Sequence, residues 1–145
     1  MSIIVDASVV VKWYVPELYW DNAQRVAAAG DELAAPVHVL GEVGAVLVRR
    51  FRQGKITDRQ LAIARVAVRD MLSFISLTDL FDAAMQIAIE TRLSFYDALY
   101  VAAAEREDTF VITADARLVR VVASSRWSDR VLPLSQWVAG PHAGT

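Results

Sequence analysis

Four acidic residues lie at positions where their carboxylates could take part in a reaction. Asp6 ends the apolar run SIIV, Asp115 follows the apolar run FVITA, Asp97 lies within LSFYDALYVAAAE, and Glu42 lies within VLGEVGAVLV. Carboxylates that converge repel one another, so at neutral pH they either take up protons or bind a cation. Oxygen ligands without His or Cys suit Mg²⁺ or Mn²⁺ rather than Zn²⁺. If the four acids converge, we expect a metal site at which a metal-activated water hydrolyses a phosphodiester.

Each acid also has a structural explanation. Asp6 and Asp115 precede predicted helices, where Asp is a favoured N-cap. Ser94 and Asp97 have the spacing of a capping box, and Glu42 alone could be a solvated helix residue. Taken singly, these explanations are the stronger ones. Helix caps do not explain a Glu in the apolar middle of a helix, so the metal-site hypothesis depends on the four acids acting together.

Short apolar runs alternate with helical patterns along the chain. SIIVD, ELAAP, FISLT, TFVIT and RVLPLS predict strands, and amphipathic or apolar helices separate them. This alternation predicts βαβ units and an α/β fold with a central, mostly parallel sheet that is buried on both faces. Ligands of such sheets bind beyond the carboxyl ends of the strands. Asp6 and Asp115 are expected at that edge.

Composition limits the class of protein. The 145 residues suit one domain, and 55% hydrophobic residues with 22% charged residues argue against disorder. We expect residues 1–138 to form a single domain and residues 139–145, AGPHAGT, to form a flexible tail. The absence of cysteine excludes disulfides and thiolate metal sites and is compatible with the cytoplasm, the expected location. The longest stretch without Asp, Glu, Lys or Arg contains prolines and glycines, so no membrane span is expected.

The charge balance is slightly acidic, with a formal net charge of −2. A generic nucleic-acid binder is expected to be basic, but here the cations are clustered. One cluster is a candidate for contacts with RNA phosphates: Arg49, Arg50, Arg52 and Lys55. The alternative is a solvated helix end that complements the helix dipole.

The sequence lacks the motifs of several other classes of enzyme and receiver domain. A phosphoaspartate hydrolase needs a second Asp two residues after the first, where this chain has Ser8, and a receiver domain needs a Lys after its last strands, whereas no Lys follows Lys55. The chain has no GxxxxGK[ST], no GxGxxG and no GxSxG motif. His38 and His142 are not at a metal-ligand spacing, and we interpret His38 as structural.

Four blocks together resemble a known family. IIVDASVVVKWYVPE, HVLGEVGAVLVRR, LSFYDALYVAAAE and FVITADARL occur in the order seen in PIN-domain ribonucleases, and most resemble the VapC toxins of type II toxin–antitoxin pairs. The resemblance covers nearly the whole chain. It implies a three-layer α/β/α fold, a Mg²⁺- or Mn²⁺-dependent endoribonuclease with an RNA substrate, a cognate VapB-like antitoxin and a homodimer.

The resemblance also implies roles for individual residues. It places four carboxylates in the acidic metal site and two hydroxyls in supporting positions: Asp6, Glu42, Asp97 and Asp115, then Ser8 and Thr113. Some members have a further acid shortly after the Asp115 position, where this chain has Arg117 and Leu118. One-metal and two-metal catalysis therefore both stay open.

Two further alternatives concern the assembly and the activity. Trp13, Tyr14 and Trp20 either pack against a partner subunit or fill the protein's own core. The chain could also keep the PIN fold as a catalytically inactive binding protein, or act on DNA or in RNA processing rather than as a toxin.

Overall fold

Five parallel strands form the central sheet of the computed structural model, which describes residues 2–138. The strands are β1 Ser2–Val5, β2 Glu32–Pro36, β3 Ser73–Ile75, β4 Val111–Thr113 and β5 Val131–Pro133. Their order is β3-β2-β1-β4-β5, and Ile4 of β1 is in register with Ala34 on one side and Val111 on the other. The chain runs outward from β1 to β3 and then returns to β4. The strand order thus reverses between β1 and β4, where open parallel sheets bind their ligands.

Seven α-helices connect the strands in this described part of the chain. They are α1 Ala7–Lys12, α2 Trp20–Ala28, α3 Val39–Arg52, α4 Asp58–Met71, α5 Leu77–Thr91, α6 Phe95–Arg106 and α7 Ala116–Val122. Helix α1 packs against α2 and α3, and α3 against α4, while α6 lies across β1, β2 and β4 with α5 packed on it. The predicted three-layer α/β/α arrangement is confirmed. The predicted tail, residues 139–145, lies outside the described residues, as does His142.

The core is centred on β1, β4 and α6. Ile3, Ile4 and Val5 are fully buried, as expected for an inner strand covered on both faces. In α6, every residue from 98 to 104 is buried. A helix that is apolar on all sides has to be enclosed, which accounts for the apolar sequence around Asp97.

A side-chain cap shifts one predicted boundary. FISLT is a shorter strand than predicted, because the Ser76 side chain accepts a hydrogen bond from the amide of Thr78 and starts α5 at Leu77. Helix α1 ends at Lys12, and Trp13 is its C-cap. Trp13 is buried and donates its indole N–H to the Ala23 carbonyl over 2.9 Å, so this aromatic belongs to the protein's own core.

No helix between residues 2 and 138 is long and apolar enough to cross a membrane.

Candidate active site

Asp6 lies at the carboxyl end of β1 and is the N-cap of α1. Its Oδ1 accepts hydrogen bonds from the Ser8 hydroxyl at 2.5 Å and the Val9 amide at 3.3 Å, and its Oδ2 accepts one from the Thr113 hydroxyl. Only 5% of the residue is exposed. Burial raises the pKa of Asp6 from 3.8 to about 6; the hydrogen bonds from Ser8 and Thr113 oppose this rise, and the charge of Asp115 adds to it.

Hydroxyl groups connect the ends of β1 and β4. Thr113 is fully buried, and its Oγ1 accepts the amide of Asp115 at 3.0 Å while its hydroxyl donates to the Asp6 carboxylate. The Ser8 Oγ accepts the amide of Ala114 at 2.9 Å. These contacts fix the first turn of α1 against the segment that leads into α7, so the two strand ends present their acids in a defined arrangement.

Asp115 is the N-cap of α7, as its position in the sequence predicts. One carboxylate oxygen accepts the amides of Arg117 at 2.9 Å and Leu118 at 3.4 Å. The residue is half-buried. Because these amides occupy one oxygen, the cap leaves the other oxygen of Asp115 available for a ligand.

Asp97 lies in the first turn of α6, after the N-cap residue Ser94. The Ser94 hydroxyl accepts the Asp97 amide at 3.1 Å, so Ser94 is the N-cap. Among the described residues only this half of the predicted capping box is formed. Asp97 is half-buried, and its pKa is raised by burial and then by the charges of Asp115 and Glu42, with Arg117 opposing. Capping by Ser94 and proximity to the other acids are therefore compatible.

The prediction that Glu42 lies in the middle of its helix is wrong, because α3 begins at Val39 and Glu42 falls in its first turn. Two aromatic side chains hold Glu42, so it is not freely solvated. Tyr100 donates its hydroxyl to Oε1 of Glu42 at 2.5 Å, and Nε2 of His38 lies 3.4 Å from the same oxygen. His38 Nε2 also lies 3.1 Å from the carbonyl oxygen of Tyr96, so Nε2 carries the proton. Burial lowers the pKa of His38, which favours the neutral ring.

Neither of the two residues that hold Glu42 was predicted from the sequence as part of the site. His38 was treated as structural, although its i,i+4 spacing from Glu42 on a helix was a usable signal. Tyr100 had no such signal, because its contact joins α6 to α3 over 58 residues of sequence.

The four acids Asp6, Glu42, Asp97 and Asp115 lie at the carboxyl edge of the sheet, close enough for their charges to interact; we call them the acidic series. The charge of Asp115 helps to raise the pKa of Asp6, and the charges of Asp115 and Glu42 help to raise the pKa of Asp97. Within residues 2–138, no three His, Cys, Asp or Glu side chains are already arranged as ligands of one ion. Mg²⁺ commonly takes one or two carboxylates and keeps several waters. The donor set, carboxylates that repel one another in a partly buried place, fits such an ion.

A cleft of about 330 Å³ lies beside the acids and contains part of the predicted basic cluster. Ser8 and Glu42 line it together with Arg49 and Arg50. Lys55 and Arg50 line a neighbouring hollow, and Arg52 is exposed near the same end of α3. Lys12 and Glu17 also line the cleft, although neither was predicted from the sequence to have a role.

The fold is similar to that of solved structures. A toxin–antitoxin complex from Klebsiella pneumoniae aligns with a TM-score of 0.67 and 16% identity, over 91% of this chain and 97% of that one. VapC20 from Mycobacterium tuberculosis, described as a sarcin–ricin loop cleaving toxin, aligns with a TM-score of 0.62 and 23% identity, over 80% of this chain and 92% of that one. At these identities the likeness establishes the fold.

Sequence comparison identifies the family. Ribonuclease VapC3 from Pyrobaculum aerophilum is 26% identical over 121 residues, which cover 81% of this chain and 92% of that protein. The model of the PIN domain matches residues 3–123, a segment that includes all four acids. The chain therefore belongs to the PIN domain family.

Proposed function

We propose that this protein is a Mg²⁺- or Mn²⁺-dependent endoribonuclease and the toxin of a type II toxin–antitoxin pair. The observation that supports the proposal is the acidic series, which lies at the edge of the sheet where the strand order reverses. There, burial and mutual repulsion raise the pKa values of Asp6 and Asp97. A bound divalent cation offsets this cost. Membership of the PIN domain family and the similarity to Ribonuclease VapC3 support RNA as the substrate.

The residues of the site divide into holding and positioning groups. Asp6 and Asp115 would hold the ion, since they lie at the ends of adjacent strands, with Asp97 and Glu42 completing the acidic series. When bound, the ion supplies charge stabilisation for the phosphate and a water of lowered pKa. Ser8 and Thr113 keep the Asp6 carboxylate in one orientation. A carboxylate of this series that does not bind the ion is placed to accept a proton.

The proposed partners are an antitoxin and a second copy of the chain. The similarity to a toxin–antitoxin complex supports a VapB-like antitoxin. The homodimer is supported by an exposed apolar stripe on α5, where Phe81, Met85 and Ile89 are 50%, 43% and 73% exposed at helical spacing.

Parallel cleavage assays test the activity. Purified protein is incubated with single-stranded RNA, tRNA and flap DNA, with Mn²⁺ or with EDTA. We expect RNA to be cut with Mn²⁺ and to stay intact in EDTA. Preference for DNA would favour a different nuclease role, and no cleavage of any substrate would favour an inactive binding protein. Growth inhibition on expression, relieved by the protein of a neighbouring short gene, tests the role as a toxin.

A further inference from the structure

Lys12 is a buried cation in the wall of the cleft next to the acids. Its side chain, in the last turn of α1, is only 9% exposed, and its Nζ lies 3.5 Å from Oε2 of Glu17. Within residues 2–138, Glu17 is the one carboxylate in ion-pair distance of Lys12. Burying an ammonium group is costly unless it is well paired, and a single contact of 3.5 Å pairs it weakly.

Arg50 shares the same carboxylate. Its Nη2 lies 3.5 Å from Oε1 of Glu17, and its Nη1 lies 3.4 Å from the side-chain oxygen of Gln53. Its Nε is buried and has no hydrogen-bond partner among the described residues. A guanidinium has five N–H donors and an ammonium has three. Two cations thus share one carboxylate, each through a long contact to a different oxygen, and within residues 2–138 much of their donor capacity is not used.

The two cations lie close to the candidate active site. Lys12 and Arg50 line the same cleft of about 330 Å³ as Ser8 and Glu42. Glu17 lies in the loop between α1 and α2 and is 28% exposed, so its side chain can turn toward solvent without disturbing either helix.

We propose that Lys12 and Arg50 form a binding subsite for a backbone phosphate of the substrate, and that Glu17 occupies this subsite as a substitute anion in the free protein. The proposal rests on the proposed nuclease function. A phosphodiester offers two charged oxygens, which match the fork of an arginine and the point charge of a lysine. A nucleic-acid strand held there runs past Glu42 toward the acidic series. Glu17 therefore lowers the affinity for the strand.

Binding measurements with three variants test this assignment. Glu17→Gln removes the competing charge and keeps the size of the side chain, whereas Lys12→Met and Arg50→Gln each remove one cation. Anisotropy of a labelled short single-stranded RNA in EDTA reports binding without cleavage. We expect Glu17→Gln to tighten binding, and Lys12→Met and Arg50→Gln each to weaken it about tenfold. The slope of log affinity against log salt should fall by about one for Lys12→Met.

Matched controls separate a specific effect from a change in net charge. Glu107→Gln and Arg65→Gln alter exposed charges outside the cleft and should leave affinity unchanged. Lys12→Arg keeps the charge and should keep the affinity. If Lys12→Met does not fold, Glu17→Gln and Arg50→Gln still decide the question.

If Glu17 forms only a structural ion pair with Lys12 and Arg50, the variants behave differently. In that case Glu17→Gln leaves binding unchanged or weakens it while lowering the melting temperature, and the proposal is overturned. Unchanged binding in Arg50→Gln overturns it as well. Cleavage by the wild type with Mn²⁺, measured in parallel, keeps the two hypotheses apart: RNA cleavage with no response of binding to these variants refutes the subsite and leaves the nuclease intact.

Discussion

The hydroxyl of Tyr100 donates a 2.5 Å hydrogen bond to Oε1 of Glu42, across the interface between α6 and α3. Tyr100 is 2% exposed, and burial together with the charge of Glu42 raises the pKa of its hydroxyl. The phenol therefore stays protonated and acts as a fixed donor. It anchors the Glu42 carboxylate, which lines the cleft, to a residue of the core.

Tyr100→Phe should lower the cleavage rate while the fold is kept. The phenyl ring still fills the core, but the Glu42 carboxylate loses the hydrogen bond that it accepts from the Tyr100 hydroxyl, which predicts about a tenfold lower kcat. Single-turnover cleavage with Mn²⁺ measures this loss. Tyr14→Phe is the matched control, because its hydroxyl contacts the Met71 sulfur at 3.4 Å, away from the acids. Equal rates for Tyr100→Phe and wild type would show that Glu42 needs no fixed orientation.

Asp6→Asn and Asp97→Asn should each reduce metal-dependent RNA cleavage by about a hundredfold or more, because they remove a negative charge while preserving size. Circular dichroism should show an unchanged fold. Asp79→Asn is the control, since Asp79 occupies the first turn of α5 as Asp97 occupies that of α6. Full activity in a folded Asp6 or Asp97 variant would remove these residues from the mechanism.

Thr113→Val should destabilise the protein by about 1–3 kcal/mol, because the buried Asp6 carboxylate loses a donor and the Asp115 amide loses its acceptor. Urea denaturation measures the change. Thr109→Val is an informative counterpart: its hydroxyl oxygen is buried without a hydrogen-bond partner among the described residues, so this substitution should be neutral or stabilising. Equal effects of the two substitutions would argue against a specific role for the Thr113 hydroxyl.

The pKa of Asp6 predicts how stability depends on pH without metal. The folded-state pKa, about 6, lies above the ordinary value of 3.8, so protonated Asp6 favours the folded state. This contribution is fully present below pH 3.8 and is lost as the pH rises through about 6.

The free energy of unfolding in EDTA, taken relative to Asp6→Asn, should therefore fall across that interval by about 3 kcal/mol at most, since one pKa unit corresponds to about 1.4 kcal/mol. Mn²⁺ should reduce the fall, because a bound cation favours the ionised carboxylate. Urea titrations at a series of pH values measure it. A difference that does not vary with pH would contradict the raised pKa.

Features that depend on local sequence were predictable. The alternation of apolar runs with helical patterns predicted the parallel sheet, and Asp6, Ser94 and Asp115 were predicted as N-caps because capping is decided within a few residues. The end of β3 was missed because Ser76 starts the next helix inside an apolar run.

Contacts between distant parts of the chain could not be predicted from the sequence alone. The pairing of Tyr100 with Glu42 depends on how α6 packs on the sheet, and the sharing of Glu17 by Lys12 and Arg50 depends on how α1 meets α3. No periodicity or spacing in the sequence encodes either arrangement. Family resemblance supplied the acids and the hydroxyls of Ser8 and Thr113 that hold Asp6, while the contacts that hold Glu42 became apparent only in the folded structure.

Calorimetric titration with Mn²⁺ measures whether these carboxylates bind a divalent ion. We expect saturable binding to the wild type, loss of that binding in Asp6→Asn, and unchanged binding in the control Asp79→Asn. Wild-type protein that binds no Mn²⁺, or Asp6→Asn protein that binds it as the wild type does, would contradict a metal site built on these carboxylates.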